Sequence, residues 1–307
     1  MAAPIAWKNW IAFAIQTNMA TVNVTASDYV FVPLTSDESV KTNPNLSFDV
    51  GVEGFPGPNK FYSQGKIVEG GLPITMVPGA TADLVDWLIT RDSDGQGKFA
   101  TVIINTAIKR RRIIGCKIDT ARLVFENRSL LSADLTILGV EEDANTSPAL
   151  TPSWAVQNPY MFADCSLIIG GSADKTFNRV ELTVNNHVDR DCFRLNGTGK
   201  PEVFWNLGGP DCEGTFERDA VDSTIYDAFL AYTPGSMKLT ASRTIGLDTY
   251  SVEFEMKKII YTDSGLAAKG QRNARNTNTG TFTAMHGVDG ETPFNPIAIT
   301  DTAPTAG

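Results

Sequence analysis

The stretch Tyr250-Ser-Val-Glu-Phe-Glu-Met256 alternates apolar and polar side chains without a break. A period of two puts Tyr250, Val252, Phe254 and Met256 on one face of an extended chain and the polar residues on the other. This predicts a strand with one buried face, and Ile259, Ile260 and Tyr261 follow close behind it. Working outward, Met237, Leu239 and Ala241 alternate in the same way, as do Val180, Leu182 and Val184. Cys165–Ile169, Glu202–Trp205 and Gly214–Arg218 read as further strands, and Phe193 and Leu195 alternate around Arg194. Gly170-Gly171 and Gly208-Gly-Pro-Asp211 read as turns. In the first half, Val22/Val24, Tyr29–Pro33, Phe99–Ile104, Arg112–Ile118, Ala121–Phe125 and Leu135–Val140 are strand-like. Phe61–Val68 and Leu72–Val77 read as a hairpin divided by Gly70-Gly71. Only two short segments carry clear helical spacing. Leu84, Trp87 and Leu88 share a face behind Thr81 as a cap, and Ile225, Tyr226, Phe229 and Leu230 follow Asp222.

The order of elements over residues 61–125 recurs over 202–261. The fold class expected is therefore mainly β: a duplicated β-sandwich or barrel, each half with one short α-helix. The expected layout is an N-terminal arm over 1–20, helical or extended, and a first β domain over 21–145 with a long loop at 34–60. A linker over 146–160, a second β domain over 161–265 and a polar C-terminal extension over 266–307 complete it.

The 307 residues carry a net charge of −9, with 42% hydrophobic and 20% charged residues. This is too apolar for wholesale disorder and too acidic for a sequence-independent grip on a DNA backbone. No apolar run is long enough for a membrane helix, and the N-terminus makes a poor secretory signal. Cys116, Cys165, Cys192 and Cys212 form no CxxC pair and read as buried thiols.

Chemistry is sparse. His187 and His286 lack an evident partner in sequence. Asp83 and Asp86 read as the solvated front of a helix, and Glu141, Glu142 and Asp143 as an acidic loop. The glycine pairs match no phosphate-binding motif. No catalytic residue, cofactor or metal ligand is nominated. Two features point instead to protein contacts. Lys109, Arg110, Arg111 and Arg112 form one compact basic run at an expected hairpin tip, where an acidic patch on a neighbouring subunit would suit a chain of this charge. A solvated turn and contact with nucleic acid phosphates are the other readings. In the long loop, Phe48, Val50 and Val52 alternate, so a short strand could add to a neighbour's edge, and Phe55 before Pro56 could fill a pocket.

The run from Phe162-Ala-Asp-Cys-Ser-Leu-Ile-Ile-Gly-Gly171 through Val180–Asn186, Gly214–Arg218, Ile225–Phe229 and Tyr250–Met256 resembles the C-terminal half of a tailed-bacteriophage major tail tube protein of the long, two-part type. Tyr29–Pro33, Gly70-Gly71 and the 81–89 helix resemble its N-terminal half. The resemblance implies a subunit without enzymatic activity or cofactor that assembles with itself into stacked rings, trimeric with pseudo-sixfold symmetry. It also implies other tail proteins, such as the tape measure and terminator, as partners, and viral DNA passing through the lumen without specific binding. No membrane is involved, and the location implied is the virion tail, assembled in the host cytoplasm. The alternatives are another virion structural protein (sheath, baseplate or decoration) and a carbohydrate-binding β-sandwich using Trp7, Trp10, Trp154 or Trp205 as platforms.

Overall fold

The computed structural model describes residues 9–302 apart from 45, 51–57, 64, 107, 144–146, 153–157, 195–198, 268–274 and 287–296. The first half holds β1 (Trp10–Gln16), β2 (Val30–Val32), β3 (Lys41–Asn43), β4 (Leu46–Val50), β5 (Pro58–Ser63), β6 (Ile67–Thr75), α1 (Thr81–Ile89), β7 (Phe99–Asn105), β8 (Arg110–Glu126), β9 (Ser132–Gly139) and β10 (Glu141–Asp143). The second holds β11 (Cys165–Ile169), β12 (Ser172–Asp174), β13 (Phe177–Asn185), β14 (Asp211–Asp219), α2 (Thr224–Leu230), β15 (Gly235–Ile245), β16 (Asp248–Ala267), β17 (Thr277–Ala284) and β18 (Ala298–Thr302).

One pairing scheme occurs twice. In the first half β1 pairs with β2 and β7, β8 with β7, β9 and β10, and β6 with β3 and β9. In the second half β11 pairs with β12 and β15, β16 with β15, β17 and β18, and β14 with β13 and β17. Every pair is antiparallel, and the irregularities also correspond. β8 bulges between Ile118 and Thr120 against β9, and β16 between Tyr261 and Asp263 against β17. Counted back from those bulges, Cys116 corresponds to Ile259, and they face Ala100 and Gly235 beside the second irregularity of each half. Two pairings lie outside the scheme. The β4–β5 hairpin is a separate two-stranded sheet inserted in the first half. The β8–β13 pair joins the halves into one 16-stranded sheet.

The long strands explain where the sequence reading broke the chain too often. Asp119-Thr120 reads as a gap between two strands, but β8 runs through it. The bulge turns the Asp119 carboxylate toward two donors, the Val188 N–H at 3.1 Å and the Arg190 guanidinium at 2.8 Å. A buried acid with satisfied oxygens does not terminate a strand. Likewise Lys257-Lys258 does not divide β16. Gly70-Gly71 is not a turn: both residues lie inside β6, opposite Ile137 and Thr136. Glycine is required there by close approach, because a Cβ on Gly70 would sit 2.5 Å from the Ser39 carbonyl oxygen.

Residues 10–16 are not part of an arm. They form β1, held between β2 and β7, with Ile11, Ala12 and Phe13 buried. Residues 1–8 lie outside the described residues. The 34–60 region is not structureless: Leu34 bridges Ile74, Ser39 donates to Gly71, β3 follows, and then the β4–β5 hairpin begins. Residues 141–143 belong to β10 and not to an acidic loop. The polar extension contains β17 and β18, with Phe282 and Ile297 buried. Val22/Val24, Phe193 and Glu202–Trp205 form no strand, although Phe193 bridges Pro201, and Leu195 lies outside the described residues.

One large apolar cluster runs through both halves, and a smaller one joins Leu138 to Val188, Cys192 and Phe204. α1 buries Leu84, Val85, Trp87, Leu88 and Ile89. Trp87 stacks on Phe13 with ring centroids 5.2 Å apart and donates its indole N–H to the Cys116 carbonyl at 3.1 Å. Thr81 is not the cap: Ala80 holds that position, and the Thr81 hydroxyl donates back to Val77. α2 buries only Ile225.

α1 also packs on β18, which brings Asp83 toward Asp301. Burial, and then the Asp83 charge, push the Asp301 carboxyl up to about 6. Its folded value lies above its unfolded value, near 3.9. Its contribution therefore favours folding below about pH 4 and is lost as pH rises through about 6. Asp301→Asn is expected to raise stability at pH 8 by about 1–2 kcal/mol, allowing for solvent screening, and to change little at pH 4. Thermal unfolding at the two pH values measures the difference.

Candidate assembly interface

The joint between the halves is the interface that this chain displays in full. β13 lies along the β8 edge that β7 vacates after Cys116, from Asn185↔Thr120 to Arg179↔Glu126. Val184, Leu182, Ala121 and Leu123 are buried on its inner face. On the outer face Arg122 grips Glu181 through two nitrogens, with Nη2 2.9 Å from Oε2. Above this ladder sits a buried polar knot. Asn186 donates to the carbonyls of Leu88 and Ile118, both at 2.9 Å, and accepts from Arg91. Asn206 donates to the Asn186 carbonyl at 2.8 Å and accepts from the Lys117 amine at 2.7 Å. Burial lowers Arg91 to about 10 and Lys117 to about 8. The sequence reading missed this knot, because its members are scattered from Arg91 to Asn206 and no spacing announces them.

The basic run is largely matched within the chain. Arg111 Nη2 lies 2.9 Å from Glu142 Oε2, and Nη1 3.4 Å from Glu38 Oε1. Arg112 is buried against Asp143, with Nη2 2.6 Å from Oδ2. Arg110 donates to the Pro148 carbonyl at 2.6 Å and covers the Trp10 ring at 5.3 Å. Lys109 reaches Glu142 at 3.3 Å and is the most exposed of the four. Hydrogen bonding from Arg111, first of all, holds the Glu142 carboxyl down to about 2. An acidic partner for the run thus comes from β10 of the same chain.

Of the loop candidates, Phe48 and Val50 fall in β4, while Val52 and Phe55 lie outside the described residues. The histidines converge on one exposed acid: His187 Nε2 is 2.6 Å and His286 Nε2 3.7 Å from Asp211. Among the described residues no group of three or more His, Cys, Asp or Glu is arranged to hold a metal ion. Asp83 and Asp86 lie on α1, with Asp86 2.6 Å from Lys98. All four cysteines are free; burial pushes Cys165 and Cys212 up to about 12, and Cys116 is raised as well. Trp205 is exposed, and Trp7 and Trp154 lie outside the described residues.

Among the described residues β2, β3, β10, β12 and β18 each pair with one strand only, and two open edges stand where the repeat would set a further joint. Among the described residues no strand pairs with β16 over Ile260–Ala267 on the side that β15 occupies up to Ile259. None pairs with β3 on the side away from β6. Exposed edges of this kind are pairing surfaces. The duplicated, antiparallel sheet with a matched internal joint and no assembled catalytic group among the described residues has the character of a structural component. The sequence matches the family described as Phage tail tube protein over residues 11–284, and the chain belongs to that family. It is a structural protein of the bacteriophage tail, a role that implies no catalysis. No curated protein gives a significant match.

Proposed function

We propose that the chain assembles with itself into closed rings that stack as the tail tube and conduct the viral genome. The observation that carries this reading is the doubled pairing scheme with one joint made inside the chain and open edges remaining. Three chains supply six similar sheet units, so a trimeric ring has pseudo-sixfold symmetry. A ring continues one subunit's sheet into the next and so removes the edges. The net charge of −9 suits a conduit in which DNA slides without being held. The tape measure and terminator are the expected tail partners, and assembly precedes release, in the host cytoplasm. The β4–β5 hairpin, carrying Phe48 and Val50 with Val52 and Phe55 beyond, bridges to the adjacent ring. Lys109 is the member of the basic run placed to meet a neighbouring copy.

Native mass spectrometry of rings, with symmetry-resolved electron microscopy of the tubes, tests the assignment. Three chains per ring are expected. Six chains would remove the trimer and keep the tube. A monomer at high concentration that forms no tubes would count against both.

A further inference from the structure

We propose that the open edge of β16 over Asp263–Gly265 pairs antiparallel with β3 of a second copy of this chain, in the register Asp263↔Asn43, Ser264↔Thr42 and Gly265↔Lys41. This rests on the ring reading above and names the strands that would close it.

The register follows from the repeat. Gly70 faces Ile137, which faces Ile118; Gly214 faces Phe282, which faces Tyr261. Gly70 and Gly214 therefore hold the same place, as do Ile118 and Tyr261. Two residues before each glycine stand Val68, opposite Thr42, and Cys212, opposite Val184. Three residues after Ile118 and Tyr261 stand Ala121 and Ser264. In the internal joint Val184 faces Ala121. Carried to the open edges, the same joint sets Thr42 opposite Ser264.

The backbone phase agrees independently. Ser39 donates its N–H to Gly71, so Ser39, Lys41 and Asn43 turn their amides toward β6 and Thr42 turns its own outward. On β16, a Cβ added to Gly280 would collide with the Asp263 carbonyl, so that carbonyl points to β17 and the Ser264 carbonyl points outward. The two residues that the repeat sets opposite each other are the two whose hydrogen-bonding groups face away from their own sheets. Lys41 then lies diagonal to Asp263, a favourable cross-strand charge pair.

The helices supply a second observation. α1 is covered by β18 of the following half. Among the described residues α2 has no such strand over it, and Leu230 at its end and Tyr232 just beyond are 57% and 76% exposed. Advancing one unit around the ring would place β10 of the next copy over α2. The seam is also shorter than the joint. At Val40 the N–H donates to Glu38 and the carbonyl accepts from Arg111, which closes the edge on one side. Pro44, with no N–H, ends it on the other.

The test is disulfide trapping of Asn43→Cys/Asp263→Cys protein. These positions form a non-hydrogen-bonded pair, whose Cα separation of about 4.5 Å suits a disulfide. The native thiols that burial keeps protonated stay quiet under mild oxidation. Assembled protein is expected to give a covalent ladder on non-reducing gels that ends at the ring. Each single variant should run as monomer on the same gels, and Asn43→Cys/Leu266→Cys, out of register, should link at least tenfold less. In parallel, Thr42→Pro removes the outward N–H while sparing the bonds to β6. It is expected to yield folded monomer and no rings. Tubes without a ladder, or rings from Thr42→Pro at wild-type yield, would overturn the seam and leave the tube reading standing. Failure of the unmodified chain to form rings would overturn both.

Discussion

Excising Leu46–Ser63 is expected to leave a folded subunit that closes into rings but no longer grows tubes. The two ends of the excised segment face each other as Leu46↔Ser63, so a short turn can rejoin the chain. No strand of the main sheet pairs with the hairpin among the described residues, so no ladder in either half is broken. The cut must not reach further back. Val40 is buried, and the chain from Leu34 to Asn43 runs along β6. Circular dichroism and negative-stain microscopy give the answer: unchanged sheet signal with isolated rings is the expected result. Full-length tubes from the excised protein would remove the hairpin from any inter-ring role.

Asn186→Leu is expected to destabilise the subunit by about 3–5 kcal/mol, because it leaves buried polar groups without partners. The replacement keeps the branched shape but takes the amide donor from the Leu88 and Ile118 carbonyls and the acceptor from Arg91 Nη2. Leu88 lies in α1, Ile118 in β8 and Arg91 just after α1, all in the first half, whereas Asn186 follows β13 in the second, so the loss falls on the joint. A fall in unfolding temperature of roughly 5–8 °C corresponds to that energy in a chain of this size. Denaturant melting with a tryptophan probe should show one cooperative step moving as a whole. A change below about 1 kcal/mol would mean that water replaces the amide and that the knot does not hold the halves together.

How much of this could be read beforehand depends on how far a feature is local. Alternation marked the inner faces of β13, β15 and β16, because each of these strands carries one wet face and one dry face over much of its length. The 81–89 helix was legible from Leu84, Trp87 and Leu88 alone. β1 was harder, since Trp10-Ile-Ala-Phe-Ala14 is buried on both faces and loses its period. β17 was missed because Thr277-Asn-Thr-Gly-Thr-Phe-Thr carries one large apolar residue; its glycine leaves room for the Asp263 carbonyl and the Phe216 ring. β18 and β10 are short and polar and owe their place to the strand beside them. The duplication is visible in element order, but nothing in that order says that the counterpart of Gly70 is Gly214. Only the ladder fixes that register. The basic run was found by composition, but its partners Glu38, Glu142 and Asp143 come from distant elements, and no spacing rule connects them.

The covalent link between the halves has a thermodynamic consequence. A ring made of six separate units must form every contact by collision, and each association gives up translational and rotational freedom. In a ring of three such chains, every second contact is already present in the folded monomer and does not depend on protein concentration. Nucleation then requires three bodies to meet instead of six. The onset of assembly with protein concentration is correspondingly shallower, and incomplete rings have fewer ways to stall. A subunit organised in this way can afford weak contacts between chains, because the strong ones are never at risk of dilution.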